Sequence, residues 1–206
     1  MSGEDLEPIY FLDPDELARQ VYDTDKYYLA LGRFIHTFSS VESRLKSYLA
    51  RLLRIDAYTA NAVFSGMRMK PAMDAIRRVY ERNHQELPAI YGTVVNQLGQ
   101  IQSARDWIVH FGARLYEQSK PVVTNARYAH TAEAVREFPI SPPLLDDMTS
   151  DLETIDYLIQ LADCQLWMQE TEFNEAFGDV GQPTWQYKHA PRPRTPAKSR
   201  TKGQTP

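Results

Sequence analysis

The hydrophobic residues of this chain recur with a helical period over four long stretches. In the first, about Lys26–Ile55, apolar residues step by three and four positions, as one face of an α-helix requires. Asp23-Thr24-Asp25 supplies residue types that cap a helix N-terminus, so we expect the first helix to follow an acidic arm over residues 1–25. The apolar series is interrupted by one charged residue, Glu42. Its members are Leu31, Ile35, Phe38, Leu45, Leu49 and Leu52.

The next two stretches predict helices of different regularity. Asp56–Asn83 has a helical pattern, but we expect Gly66 and Pro71 to kink or split it, because proline removes a helical hydrogen-bond donor. Leu87–Phe111 predicts a long uninterrupted helix, and Gly112 suits its C-terminal cap.

The last long helix is predicted to begin with Ser141 as its N-cap and Pro142 at its first position. Before it, residues 113–140 lack a helical period, and Arg114–Tyr116 with Pro121–Thr124 indicates a short hairpin. The pattern therefore predicts an all-α, up-and-down bundle of four to five helices, with an irregular or short hairpin insertion before the last helix. We expect this bundle to occupy residues 26–177.

The charge balance divides the chain of 206 residues into an acidic body and a basic end. All 27 acidic residues lie at or before Asp179 with 17 of the 23 Lys and Arg, which leaves residues 1–179 at −10. Residues 178–206 are rich in Gly, Pro, Lys and Arg and are predicted to form a disordered basic tail. An acidic body does not favour general binding to phosphates, so any contact with RNA must be local.

Composition also limits the compartment and the cofactors that we expect. The longest apolar runs are far shorter than the ~20 residues that cross a bilayer, and Met1–Tyr10 does not have the pattern of a signal segment. We therefore expect a soluble, cytoplasmic protein without membrane contact. Cys164 is the only cysteine, and the histidines are scattered singly. We predict neither a metal site nor a cofactor.

The candidate chemistry lies near the end of the third long stretch. Arg105 falls in the apolar register of that helix, where a charge is costly unless it is paired. Asp106 and His110 are four residues apart, so they share a helix face and could hydrogen-bond. Arg105 and His110 are separated by about 7.5 Å along the axis, so they reach one phosphate only if the arginine bends across.

These residue types suit cleavage of RNA without a metal, because RNA carries its own nucleophile, the 2′-hydroxyl. His110 could move the proton, since histidine titrates near neutral pH. Arg105 could stabilise the charged phosphorane through two hydrogen bonds. Asp106 could hold the imidazole in one tautomer.

The segment Arg105-Asp106-Trp107-Ile108-Val109-His110 resembles the signature of the HEPN family, which has an arginine, a polar residue, and then a histidine near a helix end. The order of predicted helices agrees with that family over about residues 26–170. The resemblance implies a metal-independent endoribonuclease that acts as a homodimer, with two copies of Arg105 and His110 lining one cleft. It further implies a toxin or antiviral defence effector, RNA as substrate, and a cognate antitoxin or inhibitor protein as a possible partner.

Four other interpretations stay open at this stage. The bundle could be a catalytically inactive HEPN-like dimeric scaffold, or an unrelated helical regulator in which the motif is accidental. His110 could be a satisfied histidine of the core or of the helix terminus, where the helix dipole favours it. Arg105 could form a buried salt bridge with Glu42, which would also support a catalytic role by positioning the arginine.

Overall fold

The structure, a computed structural model, describes residues 14–83, 85–115, 121–124, 130, 137–178 and 181–188. Helices dominate these ranges, which confirms the predicted all-α bundle. The elements are α1 (Pro14–Leu52), α2 (Ala57–Phe64), α3 (Met69–Arg82), α4 (Ala89–Phe111), β1 (Ala113–Leu115), β2 (Pro121–Thr124), β3 (Glu137–Pro139), α5 (Pro142–Gln165) and α6 (Glu170–Phe177).

The longest helices, α1 and α5, run parallel and form the centre of the bundle. Two ion pairs join them, Arg44 with Asp156 and Arg51 with Asp163, and the partners advance by seven residues on both helices. Buried residues on α1 also recur every seven positions, the spacing of a supercoiled helix pair. They are Tyr27, Phe34, Val41 and Tyr48. The buried face of α1 is therefore turned slightly from the predicted stripe, and Leu31 and Ile35 lie at its edge.

Several predicted boundaries are confirmed. α2 and α3 are separated at Gly66, whose φ of 74° is a backbone conformation that glycine adopts without strain. Gly112 caps α4 with a φ of 67°. Ser141 accepts a hydrogen bond from the Leu144 N–H at the start of α5, with Pro142 at the first helical position.

The predicted strand pair is present and belongs to a three-stranded antiparallel sheet in the order β1-β2-β3. Ala113 lies opposite Val123, and Val123 lies opposite Phe138. Val123 is completely buried, which places the sheet over the bundle core. Neither β3 nor the short helix α6 was predicted, because each is too short to show a period.

The predicted start of the first helix is wrong. α1 begins at Pro14, so the segment Asp23-Thr24-Asp25 lies within the helix and does not cap it. The physical reason is that residues 15–22 contain neither glycine nor proline, and extending an existing helix costs less than starting a new one. The acidic arm that we predicted over residues 1–25 therefore includes twelve helical residues, and residues 1–13 lie outside the described part of the chain.

The predicted disordered tail is also wrong for residues 181–188. Trp185 packs against the core, and Tyr187 is only 3% exposed. The Asp151 carboxylate, which is 1% exposed on α5, accepts hydrogen bonds from the backbone N–H groups of Gln186 and Tyr187 at 2.8 and 3.0 Å. The remainder of the predicted tail, residues 189–206, lies outside the described residues.

Gln97 on α4 completes this attachment. Its amide nitrogen donates to Asp151 at 2.6 Å and to the carbonyl oxygen of Tyr187 at 2.9 Å. The buried carboxylate therefore has three hydrogen-bond donors, which offset the cost of removing its charge from water. Composition wrongly predicted disorder for residues 181–188. The attachment uses backbone groups of residues 186 and 187, and composition gives no information about hydrogen bonds that backbone groups make.

Among the described residues, no helix is both long and apolar enough to cross a membrane.

The Asp151 attachment predicts a stability effect. Asp151→Ala should lower the free energy of unfolding by about 1–3 kcal/mol, because it leaves buried N–H groups of Gln97 and Tyr187 without an acceptor. Chemical denaturation measures the change. Glu153→Ala, on an exposed position of the same helix, is the control and should change stability little. Equal stability of the two variants would contradict the assignment.

Candidate functional site

The three residues of the predicted catalytic set lie on the last two turns of α4 and line one surface pocket of about 440 Å³. The opposite walls come from α1 and from the turn between α2 and α3. The remaining lining residues are Phe38, Glu42, Lys46, Gly66, Met67, Arg68, Met69, Gln102 and Val109. The fold therefore brings Arg105, Asp106 and His110 together in an open pocket, and it adds Glu42 from α1.

Arg105 lies at the edge of the core, with about 30% of its side chain exposed. Its guanidinium carbon is 5.3 Å from the centre of the Phe38 ring, and its Nη1 donates to Asp106 Oδ1 at 3.0 Å. The ring and the carboxylate together explain how a charge is tolerated next to the apolar face of α4. The guanidinium stays within reach of the pocket.

The expected hydrogen bond between Asp106 and His110 is not formed. Asp106 instead accepts a hydrogen bond from Arg105, its neighbour in sequence, at 3.0 Å. His110 is exposed, and its ring contacts the edge of the Phe111 ring at a centroid distance of 6.5 Å. The helical spacing correctly predicted a shared face, but it could not predict which of two possible donors the carboxylate would choose.

The predicted salt bridge between Glu42 and Arg105 is also wrong. The Glu42 carboxylate accepts from Lys46 Nζ at 3.0 Å, one turn further along α1. Glu42 is partly exposed because the buried face of α1 is turned away from it. Both Glu42 and Arg105 line the pocket, yet each has a partner on its own helix. Glu42 and Lys46 are four residues apart, a spacing that brings opposite charges close on a helix.

Sequence reasoning missed two cations in this pocket, Lys46 and Arg68. Arg68 is exposed and immediately precedes α3, and the turn at Gly66 brings it beside α4. The first turn of α3 adds positive potential, because the N–H groups of Met69 and Lys70 have no partner within the helix and the side chain of Arg68, the N-cap residue, does not cap them. The glycine and the following helix start were visible in the sequence, but their proximity to His110 was not.

The pocket can therefore bind an anion and exchange a proton at one place. Arg105, Arg68 and Lys46 provide positive charge, partly neutralised by Asp106 and Glu42. His110 provides an accessible imidazole, a group that can accept or donate a proton in catalysis. In the described ranges, no three His, Cys, Asp or Glu side chains are grouped as metal ligands would be.

Fold and site together define an all-α helical bundle with a mixed-charge pocket that contains arginine, aspartate and histidine. No protein-family model, curated protein or solved structure matches the chain.

Because Glu42 pairs with Lys46 and not with Arg105, we expect the substitution of Glu42 to have only a small effect on stability. Glu42→Ala should lower the free energy of unfolding by only about 0.3–0.5 kcal/mol, since a partly exposed pair one helical turn apart contributes little. Thermal and chemical denaturation measure this. Lys46→Ala should have a similarly small effect. A loss of about 3–5 kcal/mol for Glu42→Ala alone would instead indicate a buried pair with Arg105.

Proposed function

We propose that this protein is a metal-independent endoribonuclease of the HEPN type, with Arg105 and His110 as catalytic residues. The observation that carries the proposal is the exposure of His110 in the same open pocket as Arg105. A histidine that served only to fill the core or to satisfy a helix end would not need to face a pocket that is lined by Arg105, Arg68 and Lys46. The resemblance of the segment 105–110 to the HEPN signature supplies the reaction class.

The reaction uses the substrate's own nucleophile. The His110 imidazole accepts the proton of a 2′-hydroxyl, and the resulting oxygen attacks the adjacent phosphorus. The bond from phosphorus to the 5′-oxygen breaks, and that oxygen leaves after it receives a proton. The products are a 2′,3′-cyclic phosphate and a free 5′-hydroxyl. Arg105 stabilises the charge that develops on the phosphorane oxygens.

A single pocket has only one histidine for two proton transfers. In a homodimer, a second His110 can protonate the leaving 5′-oxygen while the first removes the 2′-proton. Val109 lines the pocket on the last turns of α4 and is 52% exposed, so a dimer that joins two copies of the pocket would bury it. The proposal therefore includes a dimer that joins two copies of the pocket.

Asp106 takes a different role from the one that spacing alone suggested. It holds the Arg105 guanidinium at the pocket wall, and so acts as a positioning residue. Phosphate must compete with this carboxylate for the arginine. Asp106 thereby tunes the affinity of the site for the anion, and it does not orient the imidazole.

Biologically, the proposed activity fits a toxin or an antiviral defence effector that is restrained by an inhibitor protein. A second candidate is a catalytically inactive dimeric scaffold of the same fold. One observation favours it: the guanidinium of Arg105 already has both a carboxylate and an aromatic partner within its own chain. Cleavage assays separate the two candidates.

The catalytic assignment predicts that His110→Ala lowers the cleavage rate by about 10²–10⁴, the usual loss for a general acid–base group. Gel analysis of a labelled RNA measures the rate, and cleavage should persist in EDTA and leave 2′,3′-cyclic phosphate ends. Arg105→Lys should also be impaired, since lysine keeps the charge without the planar two-point grip. His36→Ala and Arg33→Lys, at exposed positions on α1, are the matched controls.

The helical circular dichroism of the His110 and Arg105 variants should equal that of the wild type. If the His110→Ala protein cleaves as fast as the wild type, or if cleavage requires a divalent metal, the scaffold becomes the better description.

The dimer is a separate prediction. Light scattering at micromolar concentration should give twice the mass of one chain. Val109→Glu should shift the protein toward the monomer, because it places a charge in an apolar contact. Val63→Glu, at an exposed position on α2, is the control and should leave the mass unchanged. A wild-type protein that is monomeric throughout would contradict both the dimer and the two-histidine mechanism.

A further inference from the structure

A second, larger groove begins where the candidate pocket ends. It has a volume of about 670 Å³, lies between α1 and α2, and shares Glu42, Lys46 and Arg105 with the pocket. We call it the α1/α2 groove. The rest of its lining is Ser39, Ser43, Ser47, Ala50, Arg51, Ile55, Ala57, Ala60, Asn61, Phe64 and Ser65. Arg105 therefore stands between two connected cavities.

The walls of the α1/α2 groove are polar but mostly uncharged. Ser43, Ser47 and Asn61 are exposed, and within the part of the chain that the structure describes their side chains form no hydrogen bonds. Its floor is apolar, because Ala60 and Phe64 are buried beneath it. The groove thus offers hydroxyl and amide groups above a small apolar surface.

The cations of this groove are less available than its hydroxyls. Arg51 pairs with Asp163, and Lys46 pairs with Glu42. Arg105 is paired as well, with Asp106, so the binding of phosphate at the junction of the two cavities follows from the catalytic role proposed for Arg105. Beyond that point the groove suits a group that is uncharged, partly apolar and rich in hydrogen-bonding edges.

We propose that the α1/α2 groove is a nucleotide subsite, which holds the base and ribose of an unpaired RNA residue next to the phosphate bound at Arg105. This inference rests on the proposed ribonuclease function. The volume of the α1/α2 groove, about 670 Å³, lies within the ~300–1,000 Å³ that is usual for small-molecule pockets. A base can lie on the apolar floor while Ser43 and Asn61 hydrogen-bond its edge or the ribose hydroxyl.

The subsite selects single-stranded RNA. Bases in a duplex are stacked and paired, so their Watson–Crick edges are not available to protein side chains. An unpaired residue can turn into the groove. Because an amide both donates and accepts hydrogen bonds, Asn61 is the residue that discriminates between bases, and the acidic body supplies little general affinity to override that choice.

The first experiment fills the groove. In a His110→Ala background, Ser43→Leu should raise the Kd for a fluorescent, unstructured RNA dodecamer by about tenfold, since leucine occupies the space of the base. Ser40→Leu introduces the same side chain at an exposed position of α1 outside the groove, and should change the Kd by less than about twofold. Fluorescence anisotropy measures both, and the RNA annealed to its complement should bind more weakly than the single strand.

The second experiment changes the hydrogen-bonding groups of the Asn61 side chain without changing the size of that side chain. In the otherwise wild-type protein, Asn61→Asp should lower kcat/KM and alter the order in which homopolymeric RNAs are cut. Asn96→Asp, at an exposed position on α4 outside both cavities, should keep the wild-type order. Because Asn61 is also exposed, its substitution should not impair folding, and denaturation measurements verify this.

The two proposals fail in different ways. If the wild type cuts RNA through His110, but Ser43→Leu and Ser40→Leu bind alike and Asn61→Asp keeps the wild-type order, the subsite is refuted and the ribonuclease stands. If the wild type cuts no RNA but only Ser43→Leu weakens binding, the ribonuclease is refuted and the groove remains an RNA-binding surface. If neither cleavage nor binding occurs, both are refuted.

Discussion

The parallel packing of α1 against α5 is the contact on which the rest of this structure depends. The seven-residue recurrence of buried side chains along α1 allows one continuous seam, and ion pairs flank it at Arg44 and Arg51. Burial of this apolar seam supplies the main driving force for folding. Because the seam fixes the rotation of α1, it also decides which residues of that helix face α4, and so it places Phe38, Glu42 and Lys46 in the candidate site.

The candidate site is a consequence of that rotation and of one sharp turn. The chain turns at Gly66 after α2, and Arg68 and the start of α3 then lie beside the last turns of α4. Cations are thus collected locally on a body whose overall charge is negative. Such an arrangement favours binding of a phosphate at one place over non-specific binding along a nucleic acid, since non-specific affinity depends on the number of phosphates neutralised.

Hydrogen bonds between buried polar groups hold separate parts of the described bundle together. Asp151 and Gln97 bind the backbone of residues 186–187, so the chain after α6 is held against α4 and α5. Tyr48 and Tyr80 likewise share a hydrogen bond of 2.6 Å between their hydroxyls inside the core. Burial raises the pKa of the Tyr48 hydroxyl, so this phenol stays neutral at ordinary pH. Each such pair is satisfied internally, which makes these positions intolerant of change.

The sequence by itself determined the helical class, the positions of the long helices apart from the start of α1, the caps at Gly112 and Ser141, and the shared helix face of Asp106 and His110. Periodicity and capping depend on residues close in sequence, so a single chain reveals them. Only the tertiary structure decided that Asp106 pairs with Arg105, that Glu42 pairs with Lys46, and that residues 181–188 belong to the bundle. These outcomes depend on the rotation of helices about their axes and on competition between nearby partners. A rotation of a few tens of degrees leaves the hydrophobic period unchanged but alters which polar groups meet, and so it leaves no trace in the sequence pattern.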